Sequence, residues 1–254
     1  MGILKDKKGL VIGIANQRSI AWACARAFYK AGATLGGTWL SDKSRPHVEP
    51  LLDALGADIR RPLDVLDDSQ MQGLFEEVQR RWGRLDFLLH SIAFAPKADL
   101  LGRLVDSSRD GFGVAMDVSC HSFIRMAKLA LPLMTDGGSL LTVSFYGADR
   151  VVENYNLMGP VKAALESSVR YLAADLAARK IRANTISAGA IRTRAASGIG
   201  RFDELLDKVR DKTPAQRLVG IEDVGRVAAF LASEAGSSLT GSVVYADGGF
   251  HTIA

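Results

Sequence analysis

The stretch Gly9-Leu10-Val11-Ile12-Gly13-Ile14-Ala15-Asn16-Gln17-Arg18-Ser19-Ile20-Ala21 reads as a strand, a turn and the start of a helix. Gly13 allows a tight turn and a close backbone approach, and Ser19 suits an N-cap or a phosphate ligand. A helix whose N-terminus faces the carboxyl edge of a parallel sheet offers unpaired N–H groups to a pyrophosphate. The usual three-glycine dinucleotide fingerprint is absent, because Ala15 and Ser19-Ile20-Ala21 stand where further glycines are expected. Taken alone, the turn fits an ordinary strand–helix connection equally well.

Outward from this unit the same alternation continues to the end of the chain. Expected strands are 9–14, 33–39, 58–62, 86–93, 139–145, 182–187 and 242–245. Expected helices are 20–31, 48–55, 68–82, 109–134, 155–178, 202–211 and 221–232. Such alternation implies right-handed crossovers and an α/β fold with both sheet faces covered. The expectation is one Rossmann-type, doubly wound domain over residues 1–254, with seven parallel strands and no linker, repeat or low-complexity tract. Apolar residues make up 48% of the 254, enough for a sizeable core. No apolar run approaches the ~20 residues a membrane-spanning helix needs, and the first residues lack a signal-peptide core. The net charge of +4 is not gathered into one run, so it argues weakly for nucleic acid. Cys24 and Cys120 fall in apolar helical segments without metal or redox spacing, which implies buried thiols in a reducing compartment.

The strand ends carry the remaining signals. The second strand ends in Trp39-Leu40-Ser41-Asp42-Lys43. Asp42 disfavours a ribose 2′-phosphate, whereas Lys43 or Arg45 would receive one, so NADH and NADPH both stay open. Asp64 after the third strand suits an adenine amino group, with Val65 against the ring; Asp64 or Asp67 also suits a helix cap. The fourth strand delivers His90-Ser91-Ile92-Ala93-Phe94-Ala95-Pro96, whose small residues leave room at the carboxyl edge. His90 itself reads as a satisfied core histidine, and His47, His121 and His251 form no metal spacing.

Residues 144–166 contain Tyr155 and Lys162, seven positions apart. If Tyr155 opens a helix, both groups lie on one face, roughly 10 Å apart along the axis. A phenol beside an ammonium suits a reaction that builds negative charge on an oxygen. The pair alone fits a helix-start aromatic and a solvated charge as readily.

Together these motifs resemble the short-chain dehydrogenase/reductase superfamily and, within it, the enoyl-acyl carrier protein reductases of bacterial fatty acid synthesis. The resemblance rests on G-I-A-N-Q-R-S-I-A (13–21), L-D-V (63–65), H-S-I-A-F-A-P (90–96), Y-N-L-M-G-P-V-K-A-A-L-E (155–166), R-A-N-T-I-S-A-G-A-I-R-T-R-A-A-S-G-I (182–199) and D-G-G-F (247–250). Carbonyl-reducing members use Tyr-x3-Lys. Here Gly159 lies four beyond Tyr155 and Arg150 four beyond Tyr146, so only Lys162 supplies the amine.

The resemblance implies roles. Tyr155 would hydrogen-bond the thioester carbonyl, and Lys162 would hold the nicotinamide ribose. Gly13, Ala15, Ser19, Ile20, Asp64, Val65, Ser91, Ala93 and Ile191 would line the cofactor, with Thr193 near its phosphates. Phe145, Tyr146, Met158, Ala195, Ala196 and Ile199 would face the substrate. The implied cofactor is NADH or NADPH, with NADH as the first expectation and no metal. The implied partner is acyl carrier protein as substrate carrier, in a cytoplasmic homotetramer that binds neither nucleic acid nor membrane. Residues 127–134 and 163–178 are the expected interface, and residues 192–212 a mobile lid. Arg192, Arg194, Arg201, Lys208, Arg210 and Lys212 are either a docking face for the acidic carrier or a solvated surface.

Three positions depart from the family pattern. Phe145 replaces a usual second tyrosine, with Tyr146 next to it. Ala190 stands where proline is frequent, and Ala93 where glycine is. Neighbours in a strand face opposite sides, so Tyr146 replaces the missing hydroxyl only if the strand has ended or bulged. The alternatives are a short-chain reductase for another activated alkene or a carbonyl, and a non-enzymatic dinucleotide sensor.

Overall fold

In the computed structural model, which describes residues 2–193, 200 and 202–253, all seven strands join one parallel sheet. In chain order the elements are β1 (Lys8–Ile12), α1 (Ile20–Lys30), β2 (Thr34–Trp39), α2 (Arg45–Ala54), β3 (Ile59–Pro62), α3 (Asp68–Trp82), β4 (Phe87–His90), α4 (Lys97–Leu101), α5 (Arg109–Met116), α6 (Ser122–Ala130), β5 (Gly138–Phe145), α7 (Met158–Leu176), β6 (Ile181–Ala188), α8 (Phe202–Lys212), α9 (Ile221–Ala232) and β7 (Val243–Ala246). The strand order is β3-β2-β1-β4-β5-β6-β7. The chain therefore winds outward from β1 to β3, then returns to build β4 on the other side of β1. This reversal opens a crevice at the carboxyl ends of β1 and β4, where open α/β sheets bind ligands.

Strand alternation explains the layers. Val11, Leu35, Phe87, Leu89, Leu141 and Ile186 point to one face, under α1, α2 and α9. Leu10, Ile12, Leu88 and Leu140 point to the other, against α3, α6 and α7. A third apolar cluster sits at the edge of the sheet and includes Tyr155, Met158, Leu206, Val209 and Phe250. Asp67, rather than Asp64, caps α3, accepting from the backbone N–H of Ser69 and Gln70. Both cysteines are buried and unpaired, and burial pushes the Cys24 thiol up to about 12.

The elements depart from expectation in four places. Strands β1 and β4 stop at Ile12 and His90, so Gly13, Ile14 and residues 91–93 belong to the connecting loops. The expected helix 109–134 is interrupted by a π-helical segment, Asp117–His121, and ends at Ala130 ahead of Pro132, which lacks an N–H to continue it. The short helix α4 was not anticipated. Tyr155 also does not open a helix. Asn154 and Asn156, at φ 65° and 42°, place it in a left-handed turn before α7 begins at Met158. Asn tolerates that conformation better than most residues, so the N-Y-N sequence makes the turn.

Candidate active site

A cavity of about 360 Å³ lies at the carboxyl edge of the sheet, bordered by the ends of β1, β4, β5 and β6 and by α7. On one side lie Gly13, Ala15, Ser19 and Ile20, from the turn into α1. Gly13 has φ +102°, and a Cβ there would stand 2.1 Å from the Ser91 carbonyl oxygen. Only glycine fits this crossing. Ser19 caps α1: its Oγ accepts from Trp22 N at 3.3 Å and donates to the Asn16 carbonyl at 2.7 Å. Ser91, Ala93, Ile191 and Thr193 also line it.

Tyr155, Lys162, Met158 and Phe145 close the far side. The Tyr155 ring packs edge-on to Phe145 at 4.9 Å between centroids. It also covers Gly147, where a Cβ would meet the ring at 2.5 Å, so the glycine of S-F-Y-G makes room for the phenol. Lys162 is only 4% exposed, and its Nζ donates to the Val143 carbonyl at 2.7 Å. Burial lowers its pKa to about 8. Burial, reinforced by the charge of Glu166, raises the Tyr155 phenol well above its usual value. At neutral pH the cavity thus presents a neutral phenol, which is a hydrogen-bond donor, beside a cation.

Asp64 and Val65 lie at the end of β3, outside the lining of this cavity; Asp64 Oδ1 accepts from Leu66 N, and Val65 is buried. Tyr146 lies beyond the strand. β5 ends at Phe145, and Tyr146 starts a 3₁₀ turn whose ring packs on Phe250 and borders a second cavity of about 180 Å³. Tyr146 is absent from the lining of the first cavity. Ala195, Ala196 and Ile199 lie outside the described residues, as do Arg194 and Arg201. Arg192 pairs with Asp203, Lys208 with Glu153, and Arg210 with Asp207, so these positives are matched locally.

His90 is the core histidine expected. Ser122 donates its proton to the Val118 carbonyl at 2.7 Å, so the His90 Nε2–H donates to Ser122 Oγ at 2.9 Å. His90 Nδ1 then accepts from Thr142 Oγ1 at 2.9 Å. Burial and the nearby Lys162 charge hold its pKa at about 3, so it stays neutral. Among the described residues no His, Cys, Asp and Glu cluster suits a metal ion.

Further residues contribute beyond the site residues expected from the sequence, Phe202 having been expected only as part of the lid segment. Leu100 comes from α4, and Phe202 from the first position of α8; both border the cavity. Ser119 sits in the π segment and clamps the cavity loop, donating to Phe94 O and accepting from Phe94 N at 3.0 and 2.9 Å. A π segment leaves no periodic signature in sequence; Phe202, leading an amphipathic segment after a small-residue loop, was detectable.

The family profile described as enoyl-(acyl carrier protein) reductase matches residues 13–251. The chain belongs to the enoyl-acyl carrier protein reductase family. It is 47% identical over 252 residues to enoyl-[acyl-carrier-protein] reductase [NADH] 1 of Rhizobium meliloti strain 1021, covering 99% of this chain and 93% of that one. The enoyl-acyl carrier protein reductase of Anaplasma phagocytophilum, solved in complex with NAD, superimposes with TM-score 0.96 at 44% identity, covering 100% of this chain and 97% of that one. The Bacillus cereus enoyl reductase, solved with NADP+ and an indole naphthyridinone, gives TM-score 0.97 at 41% identity over 100% of both chains. In this member of the family the β5 wall of the cavity ends in Phe145, and the adjacent Tyr146 borders the second cavity.

Proposed function

We propose that this protein reduces the trans-2 double bond of enoyl-acyl carrier protein thioesters, using NADH in preference to NADPH. The observation that carries this reading is the convergence of Tyr155 and Lys162 on one cavity at the sheet's carboxyl edge. A dinucleotide is favoured there because the turn from Gly13 to Ile20 lines the cavity and brings the N-terminus of α1 to it, where unpaired N–H groups suit a pyrophosphate. Gly13, Ala15, Ser19, Ile20, Ser91, Ala93, Ile191 and Thr193 would hold the cofactor, with Asp64 and Val65 farther out toward the adenine. When bound, that group supplies a hydride to the β-carbon of the substrate.

The chain's own residues do the rest. Negative charge moves to the thioester oxygen as the β-carbon is reduced, and the Tyr155 hydroxyl donates a hydrogen bond to it. Such a donor stabilises the transition state more than the substrate. Lys162 holds the ribose hydroxyls and adds a positive field. Met158 and Phe145 give the acyl chain an apolar wall, with Ala195, Ala196 and Ile199 completing it. The α-carbon takes its proton from water. The whole chain acts as one domain, with residues 192–212 as the lid.

Preference for NADH is supported at the tip of β2. Arg45 is paired with Glu49 through two bonds of 2.8 and 3.0 Å and lies over the Trp39 ring. A 2′-phosphate there would meet Asp42 and Glu49 with that guanidinium already engaged. Each 1.4 kcal/mol of such mismatch is tenfold, so kcat/KM with NADH is expected to exceed that with NADPH by about tenfold or more. Crotonyl thioester, a long enoyl-acyl carrier protein and simple ketones, each assayed with both nucleotides, test the whole reading. Faster ketone than enoyl reduction would overturn it.

A cytoplasmic homotetramer is part of the same reading. Among the described residues no helix is long and apolar enough to cross a membrane. The segment 127–134 contributes little to an interface, because Ala127, Ala130, Leu133 and Met134 are spent in the protomer's own core. Tyr171 on α7 and Val105 ahead of α5, 73% and 80% exposed, are better candidates. Light scattering is expected to give four times the chain mass of 27.3 kDa; a monomer would refute this assembly.

A further inference from the structure

Glu166 is a buried carboxylate that the reduction described above does not use. It stands four residues beyond Lys162 on α7, one turn along the same face, and the two side chains are 8% and 4% exposed. Ser144, on the cavity wall, donates its hydroxyl to Glu166 Oε1 at 2.5 Å. The last three residues of β5 therefore each grip a different side chain. Val143 takes the Lys162 ammonium through its carbonyl, Ser144 takes Glu166, and Phe145 takes the Tyr155 ring.

The charged and titratable neighbours come from several elements. Glu166 is faced by Lys162 and Arg170 on its own helix, and by Asp149 from the turn after β5. Its charge is felt by Tyr155 and by Tyr245 of β7. Lys162 is faced by Glu166 and by Cys120 of the π segment, and it lies near the neutral His90 of β4. Burial works against the charged ammonium. Among these groups Glu166 is the carboxylate one helical turn away, and a nearby opposite charge favours the protonated amine.

We propose that Glu166 is a positioning residue for the reduction: its carboxylate, anchored by Ser144, keeps Lys162 charged inside the cavity wall. The inference rests on the role given to Lys162 in enoyl reduction. Glu166→Gln keeps an acceptor for Ser144 and the same shape but removes the charge. The basic limb of kcat/KM for an enoyl thioester is expected to move to lower pH by about one unit in E166Q. Glu166→Asp keeps the charge, and its limb stays with the native one. Glu166→Ala provides a second charge-free variant should the amide fold poorly, with circular dichroism confirming the fold in each case.

A purely structural Glu166 would lower kcat/KM by one factor at every pH and leave the limb in place; that result overturns the inference. A native profile flat to high pH overturns it as well. Native protein without enoyl reduction at any pH would instead fail the functional reading, so the two failures are told apart.

Discussion

Tyr155→Phe is expected to lower kcat/KM for an enoyl thioester by about a hundred- to a thousandfold, with NADH binding unchanged. The estimate comes from the loss of one preorganised donor to a developing oxyanion, roughly 3–4 kcal/mol, at about 1.4 kcal/mol per tenfold in rate. The substitution keeps the ring, so its edge contact with Phe145 and its fit over Gly147 survive. What is lost is a hydroxyl whose proton burial holds in place. Compensation by a neighbour is not expected. Phe145 has no hydroxyl, and Tyr146 points to the other cavity, so the described lining of the site holds no second phenol. Steady-state rates with crotonyl thioester, together with fluorescence titration of NADH, check the split. A rate within threefold of native would remove Tyr155 from the chemistry.

The contrast between Tyr155 and Tyr146 also shows what the sequence could and could not disclose. Alternating apolar strands and amphipathic helices were legible because each element buries a periodic face, as Leu10 and Val11 do on opposite sides of β1. The crevice followed from topology, and the small residues around Ser91 marked where it opens. Side-chain direction at an element's end was not legible. Tyr146 lies just past the end of β5, where strand alternation no longer sets its direction, and it borders the second cavity. The turn around Tyr155 is set by two left-handed asparagines, and the clamp from Ser119 by a π segment. The first is a local choice of Asn154 and Asn156; the second is a tertiary choice that breaks a local rule, and it reaches the site through Phe94. Such breaks are tolerated where the surrounding packing over-determines them.

Lys162→Met is expected to abolish most activity while leaving the fold about as stable as before. The functional loss follows from two charge-assisted hydrogen bonds to ribose hydroxyls, each about 1.5–3 kcal/mol, so kcat/KM for NADH should fall by about a hundredfold or more. Stability responds in the opposite sense. Burial brings the Lys162 pKa down from its ordinary 10.5 to about 8 in the fold. A base with a lowered folded pKa destabilises the fold fully below pH 8, where both states are protonated. The penalty fades as pH rises from about 8 to about 10.5, where only the unfolded chain still holds the proton. At neutral pH it amounts to about 3 kcal/mol. Methionine removes it and fills much of the same space. Against that gain stand the Val143 carbonyl, which loses the Nζ donor, and Glu166, which loses its counter-charge. Each loss is of order 1–3 kcal/mol, so the terms nearly cancel. Thermal unfolding at pH 7 should therefore place the variant within several degrees of native, at about 2–4 °C per kcal/mol for a chain this size. Between pH 8 and 10 the native protein should gain stability relative to the variant. A variant that melts far below native at pH 7 would make Lys162 a structural staple, and its conversion to a cofactor ligand would then need another argument.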